Sequence, residues 1–532
     1  MNKKIKKLNL IALALISVST FALGVKLTVP AIAAEGSAEF NLENYTVSDI
    51  LQTDGASVRV DDTDTLDKDE TGIRFPIIVN QTNYNEMLTA ATADGYETKL
   101  YAAIIPTVYL SEQELDVAKT SYTYNEKERN VLHIPLEKIF KTEMVDQTEF
   151  ATYYATLTDI PNLNYETDLT AKGYVKFTKD GTEAQYLQTE KVERSIGEVI
   201  LAEYSDEESE FDKDELQSLL KNSLAESLPN GYLAEFSSNL YTGLVGRLNV
   251  NYDAPTAITY LPNGYGGVNT GVLKIEMKTQ SKSSGVFSGF QLKLPKTANK
   301  IQLKVYYEES GSSGYVDVVD ENLQVLTNIP SGNCQESWTT ATVDYATAPE
   351  QLIIRTATGS EKDCTLYVAW IMENVDLTST LEGNELADFS SSHYVSKVSP
   401  LSGHNDPVVT YLENGYQGIE TGVLKIEMET TVDTNNYGGF RLSLPKSSNG
   451  GAVKIKLYFE TFEDRGGGVY VVDSSLNRLT SGGTKIDMAT RNSWQEITVD
   501  YTESINEIII RTYTGSPRVA TVYLALIEDV VE

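Results

Sequence analysis

Residues 300–308 read "KIQLKVYYE", and the alternation in this stretch decides the fold class. Ile301, Leu303, Val305 and Tyr307 share one face of an extended segment, while Gln302, Lys304 and Tyr306 share the other. A period of two marks a half-buried strand. The same pattern returns at residues 452–460 as "AVKIKLYFE", with Val453, Ile455, Leu457 and Phe459 against Lys454, Lys456 and Tyr458.

The recurrence extends well beyond one strand. "GYGGVNTGVLKIEM" at 264–277 and "GYQGIETGVLKIEM" at 415–428 agree at 11 of 14 positions. "SWTTATVDY" at 337–345 answers "SWQEITVDY" at 493–501, and "LIIRTATG" at 352–359 answers "IIIRTYTG" at 508–515. The copies run from 229 to 376 and from 385 to 532, so each is a whole domain and not a solenoid unit. Gly, Pro, Asn and Ser clusters separate the alternating runs, and no useful helical period appears inside a copy. Short strands with turn signals need a second sheet to cover their apolar face, so each copy is expected to be an antiparallel two-sheet sandwich, and the chain as a whole mainly β. Residues 377–384 read as a polar linker between the copies.

Upstream, residues 36–204 form a different unit. "GASVRV" (55–60) and "TGIRFPIIV" (71–79) look like paired strands, with a helix expected around "QTNYNEMLTAATADG" (81–95). The runs "LYAAIIPTVYL", "NVLHIPL", "KGYVKFTKDG" and "VERSIGEVILAEY" follow, so the unit is expected to be α+β with mainly antiparallel strands. Between it and the first copy, residues 205–228 hold the best helical pattern in the chain. Asp212 and Glu215 have capping-box spacing, and Leu216, Leu219, Leu220 and Leu224 form one stripe, which reads as a connector helix.

Lys3, Lys4, Lys6 and Lys7 precede an apolar run from Leu8 to Val25, and Ala31-Ile32-Ala33 supplies a small-residue cleavage site. Residues 1–33 are therefore expected to be a signal peptide and the protein to be secreted, extracellular or loosely held at a cell surface, with no membrane insertion after cleavage. Removing that segment removes five lysines and no acid, leaving 38 basic against 76 acidic side chains. Such a field repels phosphate backbones and anionic lipid, which argues against nucleic-acid and membrane partners and leaves neutral or cationic ones.

Groups for catalysis are sparse. His133, His393 and His404 are the only imidazoles, without metal-ligand spacing, and no G-x-S-x-G, P-loop or dinucleotide fingerprint occurs. No catalytic residue, metal ligand or cofactor is assigned, and the chain is expected not to be an enzyme. The acidic run "VDDTDTLDKDETG" (60–72) imitates the start of a calcium loop at Asp67, Asp69, Thr71 and Gly72, but its twelfth position is Ile78, where a bidentate Glu is needed. It reads as a solvated hairpin loop, with structural calcium left open. Cys334 and Cys364 are the only cysteines, and the second copy lacks both together, at Thr490 and Ala520. In an exported chain such a couple is expected to be a disulfide.

Strand parity singles out one more set. Tyr306, Trp338, Arg355 and Tyr367 in the first copy, matched by Tyr458, Trp494, Arg511 and Tyr523 in the second, point away from the best-defined apolar faces. Tyr265 and Tyr416 sit in Gly-flanked turns that can present a ring at a loop tip. By the same parity Trp370 joins Leu366 and Val368 in the core. Outward aromatics beside polar groups suit pyranose rings, whose C–H faces stack on aromatic planes while their hydroxyls need fixed partners. The alternative is that these rings fill the sandwich edge or lie under loops.

The copies also resemble jelly-roll carbohydrate-binding modules of the galactose-binding-like type, in "LADFSS" (386–391), "SWQEITVDY" (493–501) and "TVYLALIEDV" (521–530), which implies tandem jelly-roll β-sandwiches. "GASVRVDD", "AAIIPTVYL", "VLHIP", "GYVKFTKDG" and "ERSIGEV" resemble an N-terminal domain that recurs in secreted and wall-associated proteins of Gram-positive gut bacteria. The resemblance implies a polysaccharide or cell-surface glycan as partner, and the ten residues that parity and the Gly-flanked turns single out are its expected contacts. The competing expectation is a structural or adhesive surface protein whose sandwiches act as spacers or protein-binding modules.

Overall fold

The computed structural model describes residues 39–59, 71–248, 255–279, 288–309, 315–330, 337–357, 362–401, 407–430, 438–461, 467–479, 485–486, 492–514 and 518–530. The expected signal peptide, most of the acidic run 60–72, Cys334 and His404 lie outside these residues. The chain is mainly β, built from antiparallel sheets with few helices.

Each copy is a sandwich of two sheets. In the first, a front sheet orders the strands Ala257–Leu261, Val272–Thr279, Lys362–Glu373, Lys300–Glu309 and Thr339–Asp344, with Tyr232–Glu235 paired to Lys362–Glu373. The back sheet orders Val245–Arg247, Ser288–Lys293, Gln351–Ala357, Tyr315–Val319 and Val325–Pro330. The second copy repeats both orders, from Val408–Leu412 to Trp494–Tyr501 in front and from Val398–Pro400 to Lys485–Ile486 behind. The core lies between the sheets: Ile301, Leu303, Val305 and Tyr307 are fully buried and face Phe290, Leu292, Val316, Val318 and Ile354. This is the inward set that alternation requires.

The N-terminal unit carries two five-stranded antiparallel sheets, one centred on Gly72–Asn80 and Thr148–Thr158, the other on Glu97–Pro106 and Leu169–Thr178, and a two-stranded hairpin of Ser121–Tyr124 and Lys127–Asn130. Ser57 and Val58 pair with Arg74 and Ile73, and the helix Gln81–Ala93 follows directly, N-capped by the Asn80 side chain. Within the run "VERSIGEVILAEY", Ile196–Ser205 form a helix started by a full capping box between Ser195 and Glu198.

The second helix of this junction, Lys213–Ser227, is no free connector. Asp212 caps it, its carboxylate accepting from the Asp214 amide at 2.7 Å. Leu216, Leu219, Leu220 and Leu224 are buried in one cluster with Ile200, Leu240, Tyr241 and Leu244, so the N-terminal unit and the first sandwich share an apolar core across it. Gln217 seals the contact by donating to the Gly243 carbonyl at 2.8 Å.

A second junction joins the sandwiches. Leu228, Tyr232 and Met372 of the first are buried with Leu386, Phe389 and Tyr394 of the second, and the Ser392 hydroxyl donates to the Asn230 carbonyl.

Candidate functional site

The site begins with a turn. Gly264 has φ of 75° and Gly415 has φ of 72°, and a Cβ at either would strike the carbonyl of Val268 or Ile419 across the turn. Only glycine permits this closure. Tyr265 then pairs with Val268 through amide–carbonyl bonds of 3.0 Å in each direction, and the loop folds over the outer face of the front sheet.

There the Tyr265 ring lies flat on Tyr367, centroids 3.9 Å apart and planes 2° from parallel, while Tyr306 meets both edge-on at 5.5 and 5.7 Å. Glu308 accepts from both phenols: from Tyr265, and from Tyr367 at 3.0 Å. The Trp338 indole N–H donates to the Tyr265 and Gly266 carbonyls at 3.1 Å, and its ring leans on Tyr306 at 5.6 Å.

The second copy reproduces the nest. Tyr416 stacks on Tyr523 at 4.0 Å and 4°, Tyr458 meets both edge-on, Trp494 donates to the Tyr416 carbonyl at 3.1 Å, and Glu460 accepts from Tyr523 at 2.9 Å and Tyr416 at 3.3 Å. Burial and the bonds to Tyr265 and Glu308 hold the Tyr367 phenol well above its ordinary value, and the same causes act on Tyr523. The phenols therefore stay protonated and act as donors, with the glutamates as acceptors.

Eight of the ten residues singled out in the sequence thus converge, four in each copy, but not as an open platform. Tyr306, Tyr367, Tyr458 and Tyr523 are only 9%, 3%, 6% and 3% exposed. The loop covers them because bare tyrosines on a sheet face would leave apolar area and phenols in competition with water, while the glycine turn lets the chain bury the one and pair the other. Trp338, Trp494, Tyr265 and Tyr416 stay half-buried and form the accessible rim.

Arg355 and Arg511 do not join this group. Both lie on the outer face of the back sheet, across the core from the aromatics. Parity says that a side chain points outward, not which sheet it leaves. Arg355 is ion-paired with buried Asp317 at 2.8 Å. Arg511 donates to the Leu476 carbonyl at 3.2 Å, and the second copy replaces Asp317 with Tyr470, which stacks under Arg478 at 3.8 Å.

Trp370 is a correction of the opposite kind. Val305 pairs with Val368 but Lys304 pairs with Trp370, so Ala369 is an extra residue that bulges the strand. The bulge turns Trp370 from the core to the outer face, and Ala525 does the same for Leu526.

Glu308 and Glu460 were missed in the sequence. The signal was present, since both sit two residues after an outward tyrosine, in "YYE" and "YFE". Of the remaining groups, His133 contacts the Tyr174 hydroxyl at 2.8 Å and the Lys119 carbonyl at 3.0 Å. Cys364 is buried with its sulfur 3.8 Å from the Thr356 hydroxyl, and its expected pairing with Cys334 concerns a residue outside those described. Among the described residues no three His, Cys, Asp or Glu side chains gather as a metal site, and no helix is long and apolar enough to cross a membrane.

No protein-family model matches the chain, and no curated protein does. Among solved structures it is similar to the tandem CBM22-1–CBM22-2 domains of Paenibacillus barcinonensis Xyn10C, at 11% identity over 57% of this chain and 99% of that one, with a TM-score of 0.20. A point mutant of the family 29 carbohydrate-binding module CBM29-2 matches at 12% identity over 27% of this chain and 81% of its own, with a TM-score of 0.17. Allantoicase from Saccharomyces cerevisiae matches at 10% identity over 59% and 98%, with a TM-score of 0.22. Likenesses this weak do not separate a binding module from an enzyme.

Proposed function

We propose that this chain is an exported, non-catalytic protein that binds a neutral glycan through both sandwiches. One observation carries the reading: the two copies differ on their back sheets yet keep the same nest of three tyrosines, one tryptophan and one glutamate in front. The rim of that nest is a tryptophan locked by its own N–H and a tyrosine locked by its hydroxyl. Sugar stacking on fixed rings loses little side-chain freedom on binding, which is the condition for useful affinity on a shallow face. The acidic surface tolerates an uncharged ligand. Contacts of this kind are weak singly, and linking two on one polymer raises apparent affinity about 10² to 10⁴-fold.

A second reading draws on the burial of the tyrosines: the nests only pin their loops, and the sandwiches space the N-terminal unit or contact protein. Affinity electrophoresis of the intact protein through gels containing xylan, mixed-linkage β-glucan, galactomannan or pullulan separates the two. Retardation by at least one polymer, reversed by its soluble oligosaccharide, supports glycan binding. Unretarded migration in all four gels, with cell-surface binding that sugar does not compete, supports the spacer reading.

A further inference from the structure

A cleft of about 180 Å³ separates the sandwiches, where the second sets its Val408–Leu412 strand and Ser392–Lys397 turn against the outer front face of the first. The bulge at Ala369 aims Trp370 into this cleft, beside Glu235, Lys304, Thr270 and, from the second sandwich, Tyr411. Trp370 packs on one side against the Tyr306–Tyr367 nest and on the other against the core of the second sandwich, so the cleft continues the first nest.

Two polar groups in it are unused. The Trp370 indole N–H has no partner among the described residues, whereas Trp338 and Trp494 spend theirs on loop carbonyls. The Glu235 carboxylate likewise accepts no hydrogen bond and forms no ion pair among the described residues, and burial pushes its pKa up. At the matching places the second sandwich has Leu526 and Asp388, and Asp388 accepts from the Tyr394 hydroxyl at 2.8 Å and the Ser390 hydroxyl at 2.6 Å. Among the described residues, the unengaged donor, the unengaged acceptor and the ring thus come together where a second wall encloses them. Water would hydrogen-bond the N–H and the carboxylate equally well, but it makes no use of the indole face.

We propose that the inter-sandwich cleft is a saccharide subsite in which the Trp370 ring stacks on one pyranose unit, its N–H and the Glu235 carboxylate pair with hydroxyls, and the chain continues over Lys304 to the Trp338 rim. The proposal rests on the glycan-binding reading and deepens it. The two sites are then unequal: the first takes a longer segment than the second, and it is complete only in the tandem protein.

The chain has three tryptophans, so Trp338→Phe with Trp494→Phe leaves Trp370 as the sole indole and keeps aromatic rims. This full-length variant is titrated with xylohexaose, cellohexaose, mannohexaose and maltohexaose and with the matching disaccharides, reading Trp370 emission and, in parallel, heat. The proposal expects a hexaose that binds by calorimetry to shift the emission saturably, the disaccharide to do so more weakly, and Glu235→Ala on the same background to weaken hexaose binding about tenfold. A hexaose that binds by calorimetry while Trp370 emission stays unchanged overturns the cleft and leaves the glycan reading standing. Absence of binding by every sugar to the unaltered protein overturns both.

Discussion

Tyr265 lies on Tyr367 with ring centroids 3.9 Å apart, and both phenols donate to the Glu308 carboxylate. The stack joins a loop tip to the middle of a sheet, so it holds the rim on which Trp338 is mounted.

Removing the shared acceptor therefore unsettles the nest without touching the core. Glu308→Ala leaves the buried Tyr367 phenol and the half-buried Tyr265 phenol without their carboxylate and is expected to lower stability by about 1 to 3 kcal/mol. Glu460→Ala acts alike in the second copy. Urea titrations with unchanged slope give the measure, and a loss below about 0.5 kcal/mol contradicts the role assigned to the glutamate.

The turn makes a stricter demand. Gly264→Ala forces a Cβ toward the Val268 carbonyl at positive φ, which costs about 1 to 3 kcal/mol and should release the Tyr265 loop. Gly418→Ala is the control: its φ is also positive, at 87°, but nothing lies within 4 Å of the added atom. The near-ultraviolet circular dichroism of the aromatic nest should weaken in the first variant and persist in the second. Equal spectra would show that the loop does not depend on that glycine.

How much of this was legible in the sequence depends on what each feature rests on. Alternation in "KIQLKVYYE" assigned Ile301, Leu303, Val305 and Tyr307 to the core, because a pleated strand with one buried face admits no other register. The same rule failed at Trp370, since the bulge at Ala369 comes from cross-strand pairing, which no local window contains. Arg355 and the aromatics were grouped because parity does not distinguish two outer faces. The helix at 196–205 could have been read from Ser195 and Glu198, which stand at capping-box spacing. The covering of the tyrosines needed the fold, because only there does the glycine turn meet the sheet.

The sandwich junction carries a pH dependence. His393 has its Nδ1 2.6 Å from the Ser391 hydroxyl, and burial, aided by Lys397 and opposed by Glu373, holds its pKa below the ordinary 6.5. The folded chain favours the neutral ring, so as pH falls the unfolded chain takes up its proton first. The stabilisation is present above about pH 6.5 and is lost as pH drops through the lowered folded value. The unfolding midpoint should fall more between about pH 7 and pH 5 in the unaltered protein than in His393→Gln. Parallel curves for the two would contradict the assignment.

Bivalent binding itself is tested most directly by affinity electrophoresis of four full-length proteins in a polysaccharide gel that retards the parent: unaltered, Trp338→Ala, Trp494→Ala and the double variant. Bivalent binding predicts that either single change weakens retention and that the double change weakens it further than either, leaving at most what the Trp370 cleft supplies, while the unfolding midpoint stays close to that of the single variants. Retention of the double variant at the parental level would contradict it.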